Sequence, residues 1–157
     1  MSDKKSHQLA QLNIAKSKYG MDAPEMQGFN DRLDPVNSSA DQSPGFVWRL
    51  QSEEGDATQY SIFDDPSYLV NISVWASFEM FSNFIRSPTH VKVMRRRRDW
   101  FEVPDLPYVV LWWVPAGHHP TIDEAQERLE HLREHGPTAH AFSFARPFPA
   151  TDGEDTN

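Results

Sequence analysis

Cysteine is absent from the 157 residues, and with it go disulfides, thiolate metal sites and cysteine nucleophiles. A reducing, cytoplasmic setting is expected of such a chain. Long apolar runs are missing too: no segment reaches the length of a bilayer span, and the N-terminal MSDKKSHQL has charge but no apolar core. Positive charge is in deficit, with 15 Lys and Arg against 23 Asp and Glu and a formal net charge of -8. The resulting field repels nucleic acid and anionic lipid, so neither a nucleic-acid nor a membrane partner is expected. No GxGxxG, P-loop, GxSxG or HExxH occurs. Dinucleotide, nucleoside-triphosphate, serine-elbow and zincin chemistries therefore lack their usual marks, and no metal site is expected.

What is present is apolar and aromatic. Hydrophobic residues make up 38% and aromatics 12%, which places the chain among globular proteins in spite of 12 prolines. The length suits one domain with its own core, expected over 7–148, with residues 1–6 and 149–157 as flexible polar tails.

Hydrophobic periodicity gives the order of elements. Alternation over Gln8 to Ala15 predicts a strand with Leu12 and Ile14 on one side and Gln11 and Asn13 on the other. Asp22 as cap and Met26, Phe29 and Leu33 at helical spacing predict a helix that Pro35 bends or breaks. Ser43-Pro44-Gly45 leads into a strand at Phe46 to Gln51, followed by an exposed hairpin loop at Ser52 to Asp56 and a short extension around Gln59 to Phe63. Leu69 to Trp75 is a third strand. Ser77 to Phe101 reads as two helical pieces broken at Pro88, with the run Arg95 to Arg98 on the second. Tyr108 to Val114 is apolar on both faces and is expected as a central or interface strand. Thr121 with Glu124 forms a capping box for a helix that Gly136-Pro137 ends, and Phe142 to Phe144 could add a short edge strand.

The polar faces of two strands carry the chemistry. Asn71, Ser73 and Trp75 share one side of the third strand, and Asn13 belongs to the matching side of the first. A row of amides, a hydroxyl and an indole where apolar residues would pack better predicts a polar-lined cavity; the alternative is that these amides satisfy neighbouring backbone. His90, just after Ser87-Pro88, is the candidate proton acceptor, with Asn13 as partner in catalysis; the alternative is a partly buried structural histidine that caps a neighbouring carbonyl. Asn71, Ser73, Trp75, Phe84, Met94 and Trp112 are the candidate ligand-binding residues. The adjacent His118 and His119 diverge on a loop and cannot chelate one ion. Four consecutive arginines on a helix read first as a solvated, salt-bridged face. Since they cannot all face water equally, at least one leans toward the core or a dimer partner, where it needs Asp64, Asp65, Glu102 or a ligand anion.

The segments LAQLNIA, LDPVN, SPGFVWRLQ, FDDP, LVNISVWAS, RSPTHVKVMRRRRDWF, LWWVPAGHHPT and HGPTAHAFSF resemble the uncharacterised family known as domain of unknown function 3291. Through it they resemble the antibiotic biosynthesis monooxygenase superfamily. The resemblance implies an α+β fold: a ferredoxin-like antiparallel sheet with helices on one face, pairing as a homodimer into a dimeric α+β barrel around a small-molecule cavity. It also implies relatives that are cofactor-free quinone-forming monooxygenases or haem-degrading enzymes. No cofactor is expected, with haem as the alternative. The haem-degrading branch places an Asn on strand one, a Trp late in the first helix and a His one helix further on. Asn13 matches the first, whereas Phe84 and Met94 fall at the other two places and His90 lies one turn early. Two readings stand at this point. One is a small monooxygenase-like oxidoreductase acting on a planar apolar or aromatic compound, and the other a non-catalytic dimeric binding or accessory protein.

Overall fold

A computed structural model describes residues 7–20, 23–50 and 61–150. Asp22, the expected loop at Ser52 to Asp56, most of the extension after it, and nearly all of the two tails lie outside these residues.

Four strands form one antiparallel sheet: β1 (His7–Lys16), β2 (Phe46–Arg49), β3 (Tyr68–Trp75) and β4 (Val109–Pro115), in the spatial order β2-β3-β1-β4. This is the ferredoxin-like arrangement. A 3₁₀ turn at Pro24–Met26 leads into α1 (Gln27–Asp41) between β1 and β2, while α2 (Phe78–Ile85), α3 (Pro88–Met94) and α4 (Arg97–Trp100) lie between β3 and β4. The last helix, α5 (Ile122–His135), follows β4. Register puts Asn13 opposite Asn71 and Gln11 opposite Ser73 across β1 and β3.

Side-chain alternation divides the sheet into two faces with separate cores. Ala10, Leu12, Ile14, Val70, Ile72, Val74, Val110, Trp112 and Val114 pack against Ala125, Leu129 and Leu132 of α5. On the opposite face, Leu9, Trp75 and Leu111 pack with Phe81 and Phe84 of α2. Met26, Phe29, Trp100 and Phe101 form a third cluster at that face, with Ala15 and Leu69 of the strands against it. Helices thus cover both faces, where the sequence led us to expect them on one. The amphipathic stripe of α5 closes the second face within the same chain.

Three further expectations are corrected. β4 is apolar on both faces but is not a central strand: it lies at the end of the sheet, where α5 covers one side and the C-terminal segment the other. Its free edge is partly filled by a bridge in which Leu111 N–H donates to Phe142 O at 2.8 Å and Phe142 N–H returns a bond of 2.9 Å. Pro35 does not interrupt α1. It removes one backbone donor at a cost of about 3 kcal/mol, which burial of Phe29 upstream and Ala40 downstream offsets. The arginine run does not sit on one helix: Arg95 caps the end of α3, Arg96 caps the start of α4, and Arg97 and Arg98 open α4.

Side chains cap the helices as expected. Ser77 Oγ accepts from Met80 N–H at 3.1 Å, and Thr121 Oγ1 accepts from Glu124 N–H at 3.1 Å. The Glu124 carboxylate turns instead to Trp112 Nε1–H at 2.9 Å and His118 Nε2 at 2.7 Å. His119 stacks on Trp48 with 4.5 Å between ring centres.

Candidate functional site

The polar face of β1 and β3 is a hydrogen-bonded patch in an otherwise aromatic environment. Gln11, 1% exposed, is its hub. Gln11 Nε2 donates to Asn71 Oδ1 at 2.7 Å and to Ser73 Oγ at 2.8 Å. Its Oε1 accepts from Asn13 Nδ2 at 3.1 Å. A longer contact of 3.4 Å joins Asn13 Nδ2 to Asn71 Oδ1, and Trp75 Nε1–H donates to Ser73 Oγ at 2.8 Å. These bonds use both N–H groups of Asn13 and both of Gln11. Asn71 differs: its oxygen is engaged, whereas among the described residues no acceptor meets its Nδ2.

Above this patch lies a cavity of about 150 Å³ between the sheet and α1–α4. Asn13, Asn71, Ser73, Trp75, Phe84, His90 and Met94 all line it. The strand residues and the histidine foreseen from the sequence therefore meet in one place. Trp112 does not. It belongs to the α5 face of the sheet, bonded to Glu124, because position 112 shares the parity of Val110 and Val114. The sequence reading had not put Gln11, Arg49 or Arg97 in the site, yet all three line the cavity. The alternation of β1 carried the signal for Gln11, which shares the parity of Asn13. For Arg97 it was the need of one arginine to leave the solvent.

His90 is positioned by the break between α2 and α3. Ser87, at the cap of α3, accepts weakly from His90 N–H at 3.4 Å, and the His90 ring leans on Phe84 with centroids 5.2 Å apart. His90 Nδ1 lies 3.0 Å from Ile85 O. A carbonyl oxygen only accepts, so the proton of the neutral ring belongs on Nδ1 and the lone pair on Nε2. Burial pulls the pKa of His90 below its ordinary value, against a smaller opposing pull from the Ile85 carbonyl. A neutral imidazole with a free Nε2 is the form a general base requires.

The four arginines separate by environment. Arg95, Arg96 and Arg98 are exposed, while Arg97 is half-buried. Arg96 pairs with Asp99 at 2.9 Å, and the Arg97 guanidinium lies over the Tyr108 ring at 4.5 Å from its centroid. Arg49 holds Asp41 through two contacts of 2.8 and 3.3 Å.

Among the described residues no group of three or more His, Asp or Glu is placed to hold a metal ion. Haem was the alternative cofactor, and the space that the described residues enclose, about 150 Å³, is on the scale of a small aromatic guest and well short of a four-pyrrole macrocycle. No helix of the described residues is long and apolar enough to cross a membrane.

The family model for Domain of unknown function (DUF3291) matches residues 8–157. The chain belongs to the DUF3291 family. No curated protein matches this DUF3291 chain. Among solved structures, it is similar to a conserved protein from Methanosarcina mazei Go1 at 10% identity and a TM-score of 0.50, over 71% of this chain and 94% of the other. At that identity the likeness is one of fold alone. It is also similar to SnoaB, a cofactor-independent oxygenase from Streptomyces nogalater, at 16% identity and a TM-score of 0.45, over 73% and 96% of the two chains.

Proposed function

We propose that this DUF3291 protein binds a planar aromatic molecule of one or two rings over Asn13 and Asn71 and oxidises it as a cofactor-free monooxygenase-like oxidoreductase. The observation that carries the reading is His90, a neutral imidazole whose Nε2 lone pair no described residue claims, at the wall of an aromatic cavity. The substrate class is an enol or hydroxyarene whose keto tautomer carries an acidic methylene group. His90 Nε2 takes a proton from it, and the enolate oxygen is held by an amide donor on the cavity floor. From the sequence that donor was Asn13, but its N–H groups are committed to Gln11 and Asn71. Asn71 Nδ2 takes the role more readily, with Asn13 joining it by giving up the 3.4 Å contact.

The carbanionic form of the substrate reduces dioxygen and combines with it, and the imidazolium returns its proton to give a hydroperoxide. Cleavage of the O–O and remaining C–H bonds releases water and leaves a carbonyl. One oxygen atom enters the product and the other the water, so the methylene compound and dioxygen give the ketone and water without an external reductant.

The test is dioxygen uptake with bicyclic hydroxyarenes whose keto tautomers carry an acidic methylene group. We expect His90→Gln to lower the rate on the order of a hundredfold with the fold intact. Unchanged uptake removes His90 from the chemistry. The second reading, a non-catalytic binding or accessory protein, is supported by the mutual satisfaction of Gln11, Asn13 and Ser73. Binding of the same compounds with no uptake favours it. A homodimer and a cytoplasmic setting belong to the proposal as well. The support for the dimer is exposed Val103 and Leu106 before β4 rather than an open sheet face, and for the setting it is the absence of cysteine.

A further inference from the structure

A protein of net charge -8 has an aromatic cavity that, among the described residues, has no carboxylate in its lining and only Arg49 and Arg97 as fixed cations. Arg49 is already matched to Asp41 through two contacts. Arg97 is not: among the described residues no carboxylate pairs with it and no acceptor meets its guanidinium. Its one described contact is the Tyr108 ring. Stacking on an aromatic face uses the plane of a guanidinium and leaves its in-plane N–H groups for hydrogen bonding.

Arg97 also borders a second, more open cavity of about 340 Å³. Met94, Arg97 and Phe101 line both spaces, so they form the boundary between them. Among the described residues the outer space adds Arg95 and Arg98, against Glu102 as the one carboxylate. A half-buried cation with a free planar donor set, at the junction of an aromatic cavity and a cationic vestibule, is built to receive a planar anion.

We infer that the ligand is an aromatic carboxylic acid, its one or two rings in the inner cavity and its carboxylate on Arg97. This rests on the inner cavity being the ligand site and adds the class of ligand. The carboxylate anchors one end, which sets the hydroxyl or enol of the same molecule against His90 and the floor amides.

The experiment is isothermal titration calorimetry with 2-naphthoate and its neutral isostere 2-naphthamide, near neutral pH at physiological salt. Wild-type protein is expected to bind the carboxylate at least about tenfold more tightly, the scale of a hydrogen bond to a charged group. In Arg97→Gln the two probes are expected to bind alike, while Arg98→Gln keeps the preference. Equal affinity for both probes in wild-type protein overturns the inference and leaves the cavity reading standing, a comparison that needs no variant to fold. An equal loss in Arg98→Gln assigns the preference to the general field of the arginines and also overturns it. Binding of neither probe overturns the cavity as a site for small aromatics and the inference with it.

Discussion

A glutamine with 1% of its surface exposed is tolerable only if its polar atoms are matched, and Gln11 has partners for both ends. Gln11→Leu keeps the bulk and leaves Asn13, Asn71 and Ser73 short of their shared partner. The expected loss is about 1–3 kcal/mol, seen as a lower denaturant midpoint at an unchanged slope. His90 makes the second residue-scale prediction. Burial holds its pKa below the ordinary 6.5, so as pH falls the unfolded chain takes up the proton first. Stability is therefore complete above about 6.5, declines as pH drops toward the folded-state value, and loses nothing more below it. His131 shifts the same way, through partial burial and then His140 and His135. The His90 part is the difference between wild-type and His90→Gln stability curves, and an identical pH dependence in the two refutes it. The same lowering keeps the base neutral in mild acid, so the acidic limb of kcat/KM should lie below 6.5.

At the scale of elements, the strands were legible because parity alone assigns a strand residue to a face. Gln11, Asn13, Asn71 and Ser73 needed nothing more. Parity also shows why Trp112 was misplaced: the face is fixed by register with β1, which pairs Trp112 with Ala10 on the α5 side. The helices were harder to read, since whether the chain breaks, as it does within the arginine run and does not at Pro35, depends on what each turn buries, and a sequence does not record that. The entry to β2 supplies a test. Gly45 has φ +85°, its carbonyl accepts from Ala76 N–H at 2.7 Å, and only 2.4 Å separates the position of an added Cβ from the Met80 Cβ. Gly45→Ala therefore meets both backbone strain and a clash with α2. We expect it to cost more than about 1 kcal/mol, read as a lower Tm, and an unchanged Tm refutes the packing described there.

For the whole molecule, one reason to expect a homodimer beside the family resemblance was Tyr108 to Val114, apolar on both faces and so a candidate interface strand. The structure removes that reason, because Ala10, Leu12, Ile72, Val110 and Trp112 are fully buried within one chain by α5. Sedimentation at micromolar concentration is still the decisive measurement. We expect a species of twice 18.1 kDa, and a lone monomer removes the dimer from the proposal. Replacing Val103 and Leu106 with Ser is expected to weaken the association while leaving the melting curve of the monomer nearly unchanged, since both side chains are exposed. The two-sided sheet has a broader consequence. The layer under α5 and the layer around the cavity share a backbone but no side chains, so selection can act on them separately. Substitutions such as Leu129→Val loosen the scaffold without reshaping what the cavity admits, and cavity substitutions alter the guest without drawing on the α5 layer. A fold built this way lets the lining of its cavity vary while the sheet stays recognisable.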